Sequence, residues 1–275
     1  MKQTIISWLS ALDRVLRGDA TRLPALRTGT IDIPAAGLAG IMVVLAMTYG
    51  ACMGSYALFR ADGPVYIQTL ASMIKVPALF FCTLLVTFPS LYVFNALVGS
   101  RLTLRAVLDL LIAALGVNIA VLSSLGPVVA FFGVSTTSHN FMVALNVVVF
   151  AASGVLGLAF LLQTLHRLSI AERMWLPEPG RQVSQVDTAE PPEEGDEIAS
   201  RQQGALERMT EHLLGARVKT VFGCWIIMFG LVGAQMGWIL RPFIGSPDRP
   251  FTWFRSRNSN FFTATWTALV DLFSS

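Results

Sequence analysis

The chain has 275 residues, 54% of them hydrophobic and only 13% charged, with 20 Lys and Arg against 17 Asp and Glu. A soluble domain carries about 25% charged residues, so this composition excludes an ordinary soluble fold and points to a bilayer as the solvent. The excess of three positive charges is small and its basic residues are dispersed, which leaves no dense patch for a nucleic acid.

Near the N-terminus, Ile5, Trp8, Leu9, Leu12, Val15 and Leu16 share one side of a helix, and Ser10, Asp13, Arg14 and Arg17 share the other. That pattern predicts an amphipathic helix lying on a membrane surface, stopped by Gly18, within a cytoplasmic segment 1–31. A signal peptide would show a continuous apolar core and a small-residue cleavage site instead.

Five apolar stretches follow: Ile33 to Phe59, Val76 to Val98, Ala106 to Val134, Phe141 to Leu165, and Val221 to Leu240. A hydrocarbon core about 30 Å thick needs about 20 helical residues, and each stretch meets that length. None carries a charge near its midpoint. The expected fold is therefore all-α and polytopic, with transmembrane helices 1–4 in residues 32–165 and a fifth in 221–240. Val65 to Ile74 reads as a separate short helix on the membrane surface. Pro89 and Pro127 fall late in their stretches and are expected to kink or end them.

Between the fourth and fifth stretches, residues 166–220 form a linker. Its middle holds Glu178, Asp187, Glu190, Glu193, Glu194, Asp196 and Glu197 against Arg181 alone, which predicts a disordered acidic segment followed by a helix-compatible run. Residues 241–275 form a tail rich in aromatics and arginines, expected to anchor at the interface and to return as a short helix over Phe261 to Phe273.

Orientation follows from flanking charge. Lys2, Arg14, Arg17, Arg22, Arg27, Arg101, Arg105, Arg167, Arg173, Arg217 and Lys219 flank one side, against Arg60, Lys75, Arg241, Arg249, Arg255 and Arg257 on the other. The positive-inside rule then expects a cytoplasmic N-terminus and an external C-terminus.

Small residues recur at helical spacing. Ala46, Gly50 and Gly54 form one row, and Gly223, Gly230, Gly233 and Gly237 form another, each permitting close approach of a second helix. Packing within one bundle and contact with a partner subunit both fit these rows. Gly50, Gly54, Gly230, Gly233 and Gly237, with Arg241, Trp253, Arg255 and Arg257 of the tail, are the candidate partner-interface residues. Asn95, Asn118, Asn146 and Gln235 are the polar groups expected at membrane depth, bonding across helices or lining a path for a neutral solute.

No HExxH, phosphate-cradling glycine loop or GxSxG elbow is present, and Cys52, Cys82 and Cys224 stand singly in apolar runs. Neither an enzyme nor a cofactor or metal site is expected. The block KVPALFFCTLLVTFPSLYVFNALVGSRLTLR from Lys75 to Arg105, with GAQMGWILRPFIGSPDRPFTWFRSRNSNFF from Gly233 to Phe262, resembles a family of uncharacterised bacterial Yip1-like polytopic membrane proteins. That resemblance implies five spans, a cytoplasmic N-terminus and a place in a bacterial inner membrane, and it supplies no catalytic residue. The function expected is that of a non-enzymatic subunit or accessory of a larger membrane assembly, its partners being the bilayer, other subunits or a second copy. The alternatives are a channel or transporter for a small neutral solute, and a Yip1-like membrane-organising protein.

Overall fold

The computed structural model describes residues 2–19, 35–59, 65–97, 104–175, 223, 225, 227–241, 243–245, 250–254 and 260–274. These residues contain helices and no strand: α1 (Lys2–Leu16), α2 (Ala35–Leu58), α3 (Tyr66–Leu97), α4 (Leu104–Ser135), α5 (His139–Trp175), α6 (Ile227–Leu240) and α7 (Phe261–Ser274). The acidic run from Glu178 to Glu197 and the arginines Arg249, Arg255 and Arg257 lie outside the described residues.

Four helices are long and apolar enough to cross a membrane, over Ala36–Leu58, Tyr66–Ser90, Leu108–Ser135 and His139–Thr164. Their outer surfaces agree with a bilayer. Val44, Leu85, Val86, Phe131, Val134, Val148 and Val155 are large, apolar and exposed, a distribution that water would penalise. The fifth apolar stretch yields α6, whose 14 residues rise about 21 Å. Gly223 and Trp225 before it are also helical.

Three expectations change. The short surface helix over Val65 to Ile74 is not separate, because α3 runs without a break from Tyr66 to Leu97. Its apolar run therefore starts ten residues earlier than Val76, which brings Lys75 inside a candidate span. Pro89 and Pro127 end nothing, and α3 also passes through Pro77. Near Pro89 the helix is threaded by hydroxyl bonds to its own carbonyls: Thr83 donates to Leu79 O, Thr87 to Thr83 O and Ser90 to Thr87 O. Such local bonds help a membrane helix absorb a proline. Finally, α5 continues to Trp175, ten residues beyond Leu165, through a helix-compatible sequence.

α2 lies at the centre, with α3 on one side and α4 on the other; α4 in turn packs on α5, and α5 carries α7. Glycines set these spacings. A Cβ at Gly50 would meet Ser72 O at 2.6 Å and Met73 Cα at 2.8 Å, and one at Gly54 would meet Thr69 Cα at 2.7 Å. Thr69 closes that contact by donating its hydroxyl to Gly54 O at 3.0 Å. Gly126 and Gly133 of α4 serve the same purpose against Cys52 and Ser55 of α2. Lipid tails are as apolar as Leu, so close contacts of this kind supply association that hydrophobic burial cannot.

α1 packs on α2 and α4, burying Leu12 and Val15, and Trp8 covers Gly37 so closely that no side chain fits there. Gly18, at φ 72°, turns the chain out of α1. On its exposed side, a hydrogen bond from Arg17 to Asp13, aided by the carboxylate charge, raises the guanidinium above its ordinary pKa. Solvent screens this pair, and it adds little to stability. At the start of α7, Asn260 Oδ1 accepts from Thr263 N at 2.9 Å while Thr263 Oγ1 accepts from Asn260 N at 3.2 Å, a reciprocal cap that fixes where the helix begins.

Candidate functional site: a cavity between α3, α5 and α6

Since α3 and α5 flank the α2–α4 pair from different sides, a space is left in front of α4, and α6 lies across it. The cavity has a volume of about 1080 Å³. It exists because the facing positions are small: Ala114 on α4, Ala151 and Gly154 on α5, and Gly230, Gly233 and Ala234 on α6. Leu79, Phe80 and Leu84 of α3 form one wall and Val143, Val147, Val155, Leu158 and Leu161 of α5 another, with Trp225 and Phe229 at α6 and Phe261, Ala264 and Asp271 from α7.

α6 rests on α3 by light contacts. A Cβ at Gly233 would lie 3.6 Å from Thr83 Cγ2 and one at Gly237 would lie 3.8 Å from Leu79 Cδ1, both ordinary van der Waals distances. Trp225 Nε1 reaches Thr87 O at 3.5 Å. At Gly223 and Gly230 a side chain would meet open space. The glycine row is thus split, with Gly233 and Gly237 of α6 toward α3, and Gly230 of α6 and the preceding Gly223 met by no described residue. By contrast, Gly50 and Gly54 are already occupied by α3 of the same chain.

The four amides have different situations. Asn146 is buried and paired, accepting from Tyr49 Oη at 2.8 Å and donating to Met142 O at 2.8 Å. Tyr49 also meets Phe150 edge-on at 5.5 Å, and Phe150 stacks on Phe80 at 6.0 Å, which ties α2, α5 and α3 together. Asn118 is 9% exposed, lines the cavity, and its Oδ1 has no hydrogen-bond partner among the described residues. A buried acceptor left so costs about 1–3 kcal/mol. Gln235 is half-buried on α6 and does not line the cavity. The Asn95 side chain lies outside the described residues.

Ionisable groups stand at the helix ends beside the cavity, and Lys75 stands within α3. His139 and Arg241 line the cavity, and the Arg241 guanidinium lies 3.5 Å from the centre of the Trp238 ring. Lys75 is 2% exposed and donates to the carbonyl of Trp253, with its Nζ 5.9 Å from the Trp253 ring centre and 5.3 Å from that of Phe254. Two turns earlier, Gln68 Nε2 donates to Phe243 O at 2.6 Å, and one turn earlier Ser72 Oγ donates to the same carbonyl. Gly245, at φ 75°, fits its turn against Gln68. Gln68, Ser72 and Lys75 thus form a polar stripe that straps the tail to α3. Single-residue scanning misses it, but the i, i+4, i+7 spacing, continued by the buried Thr83 and Thr87, carries the signal.

Trp253 is half-exposed, its carbonyl engaged by Lys75. Cys52 and Cys82 are free and half-buried, and Cys224 lies outside the described residues. No group of three or more His, Cys, Asp or Glu suited to a metal occurs among the described residues. Chemically, the described lining offers hydrocarbon contact and dispersed polar groups.

Comparison of the chain with protein-family models, with curated proteins and with solved structures returned no match. The Yip1-like resemblance therefore stands on its two sequence blocks alone.

Proposed function

We propose that this chain works by binding inside the bilayer, as a non-enzymatic multi-pass membrane protein that serves as a subunit or accessory of a larger membrane assembly. One observation carries the reading: α6 is held from the α3 side through Gly233 and Gly237, while no described residue lies within 4 Å of a Cβ at Gly223 or Gly230. Bare glycines on a membrane helix are where a second helix approaches most closely. α7 adds to this. Phe262, Trp266 and Val270 recur every fourth residue as an exposed apolar stripe, while α7 is packed on α5.

In this reading α6 completes a fifth crossing, with the N-terminus cytoplasmic and the tail external as the flanking charges favour, in the bacterial inner membrane that the resemblance implies. The second reading, a path for a neutral solute, has one amide in its favour, the cavity-facing Asn118. Asn146 is bound to Tyr49 and α5, which argues for a structural role there.

The test is residue-specific crosslinking in native membranes. A photoreactive group attached to Gly230→Cys is expected to give a discrete adduct with another polypeptide chain, and one attached to Ala46→Cys, buried within the bundle, is not. No polypeptide adduct from Gly230→Cys, with the protein correctly inserted, would remove the subunit reading.

A further inference from the structure

The space between α3, α5 and α6 measures about 1080 Å³, just above the roughly 300–1,000 Å³ usual for small-molecule sites. It has the form of a slot. Along α5 the lining runs from His139 to Leu161, a rise of about 33 Å, close to the hydrocarbon thickness of about 30 Å. Ala151 and Val155 of α5 and Gly230 of α6 line the slot and are also exposed, so among the described residues it opens sideways between α5 and α6. Ala151 and Val155 stand about 18–24 Å along α5 from His139, and Gly230 stands about 15 Å back from the end of α6 at Leu240. The opening therefore lies near the middle of the bilayer, where the chain ends of both leaflets meet.

Behind the opening the described walls suit hydrocarbon. Leu84 of α3 and Ala114 and Leu115 of α4 back the slot, all of them buried. The polar side chains among them are turned elsewhere: Thr83 donates its hydroxyl to Leu79 O, Asn146 is bonded to Tyr49 and Met142, and Asn118 Oδ1 is buried away from the space. A buried water needs about 2–4 polar partners, whereas a methylene chain needs none.

We infer that the slot holds the terminal part of an acyl chain of a bilayer phospholipid, which enters between α5 and α6 near the midplane and reaches α4 beneath α6. The headgroup stays in its own layer outside the slot, so the chain is what the site recognises. A chain held in this way needs no partner polypeptide, and the site stands apart from the subunit reading.

The test uses the purified full chain alone in phosphatidylcholine vesicles, with photoreactive phospholipids as probes. A phosphatidylcholine carrying the reactive group near the end of one acyl chain is expected to leave adducts on Leu84, Ala114 or Leu115, which lipid around the outside of the bundle does not reach. The matching phosphatidylglycerol should label them equally, and a phosphatidylcholine with the group beside the ester should not. Gly154 lies on the lining face of α5 between Phe150 and Leu158, and no described residue comes within 4 Å of a Cβ there, so Gly154→Trp puts its ring into the slot. It should lower these adducts about tenfold. Val148→Trp places the same bulk on the exposed face of α5 and should leave them unchanged. The probe comparison is made on the unaltered protein, so a folding defect in Gly154→Trp leaves the test intact. Adducts confined to outward residues such as Val148 and Leu156, as when a second copy fills the opening, would overturn the assignment. So would a strong preference for one headgroup, labelling by an end-labelled fatty acid alone, or undiminished adducts in folded Gly154→Trp.

Discussion

Gly50→Val is expected to destabilise the folded protein strongly by forcing α2 and α3 apart. The atoms that a Cβ would meet are backbone, Ser72 O at 2.6 Å and Met73 Cα at 2.8 Å, and backbone cannot rotate away as a side chain can. The helices must separate instead. Overpacking a close contact typically costs about 1–3 kcal/mol and occasionally more, and separation also forfeits the Thr69 to Gly54 bond and the neighbouring van der Waals contacts. We expect a loss of at least about 3 kcal/mol, a large part of the 5–15 kcal/mol that holds a typical domain. Gly230→Val is the control, with open space at the same atom. Thermal unfolding in mild detergent separates the two, and equal stability of both variants would contradict the assigned α2–α3 packing.

Lys75→Met is expected to release the tail from α3 while leaving the bundle folded. Methionine matches the length of the lysine stem but removes the charge-assisted bond to Trp253 O and the ammonium facing the Trp253 and Phe254 rings. Bonds to charged groups contribute about 1.5–3 kcal/mol and cation–π contacts about 0.5–2 kcal/mol. Against that stands the relief of a buried charge, which lowers the net effect. A balance of about 2 kcal/mol corresponds to roughly thirtyfold more frequent opening. Hydrogen exchange over the segment from Phe243 to Phe254 measures it, with α2 and α4 as internal references. Unchanged exchange in that segment would mean that Gln68 and Ser72 hold the tail without Lys75.

Much of the helical architecture was legible in the sequence, for a physical reason: a bilayer demands long apolar helices, and four of them fall where the hydropathy places them. What was not legible arose from pairing. Lys75 read as a flanking charge because a lysine is costly at depth, and nothing local announces that a carbonyl and two aromatic rings from a segment nearly 180 residues later will receive it. The prolines do not end their helices for a related reason, since neighbouring hydroxyl bonds and helix packing offset the amide that proline lacks. Gly50 and Gly230 belong to the same residue type in similar rows, yet one is filled by α3 and the other by no described residue. Spacing identifies which helices can approach closely; it does not say which neighbour does. The cavity is likewise a consequence of arrangement, produced by small residues on three helices that are far apart in sequence.

The central claim is that this chain functions by holding another molecular component inside the membrane, beside α6. Its most direct test is the intact mass of the protein released from native membranes in a mild detergent. The structure's bare α6 face and its cavity of about 1080 Å³ lead us to expect masses above that of the 29.9 kDa chain, from a bound lipid, a second polypeptide or both. A single species at the mass of the bare chain, recovered folded and without either component, would contradict the account.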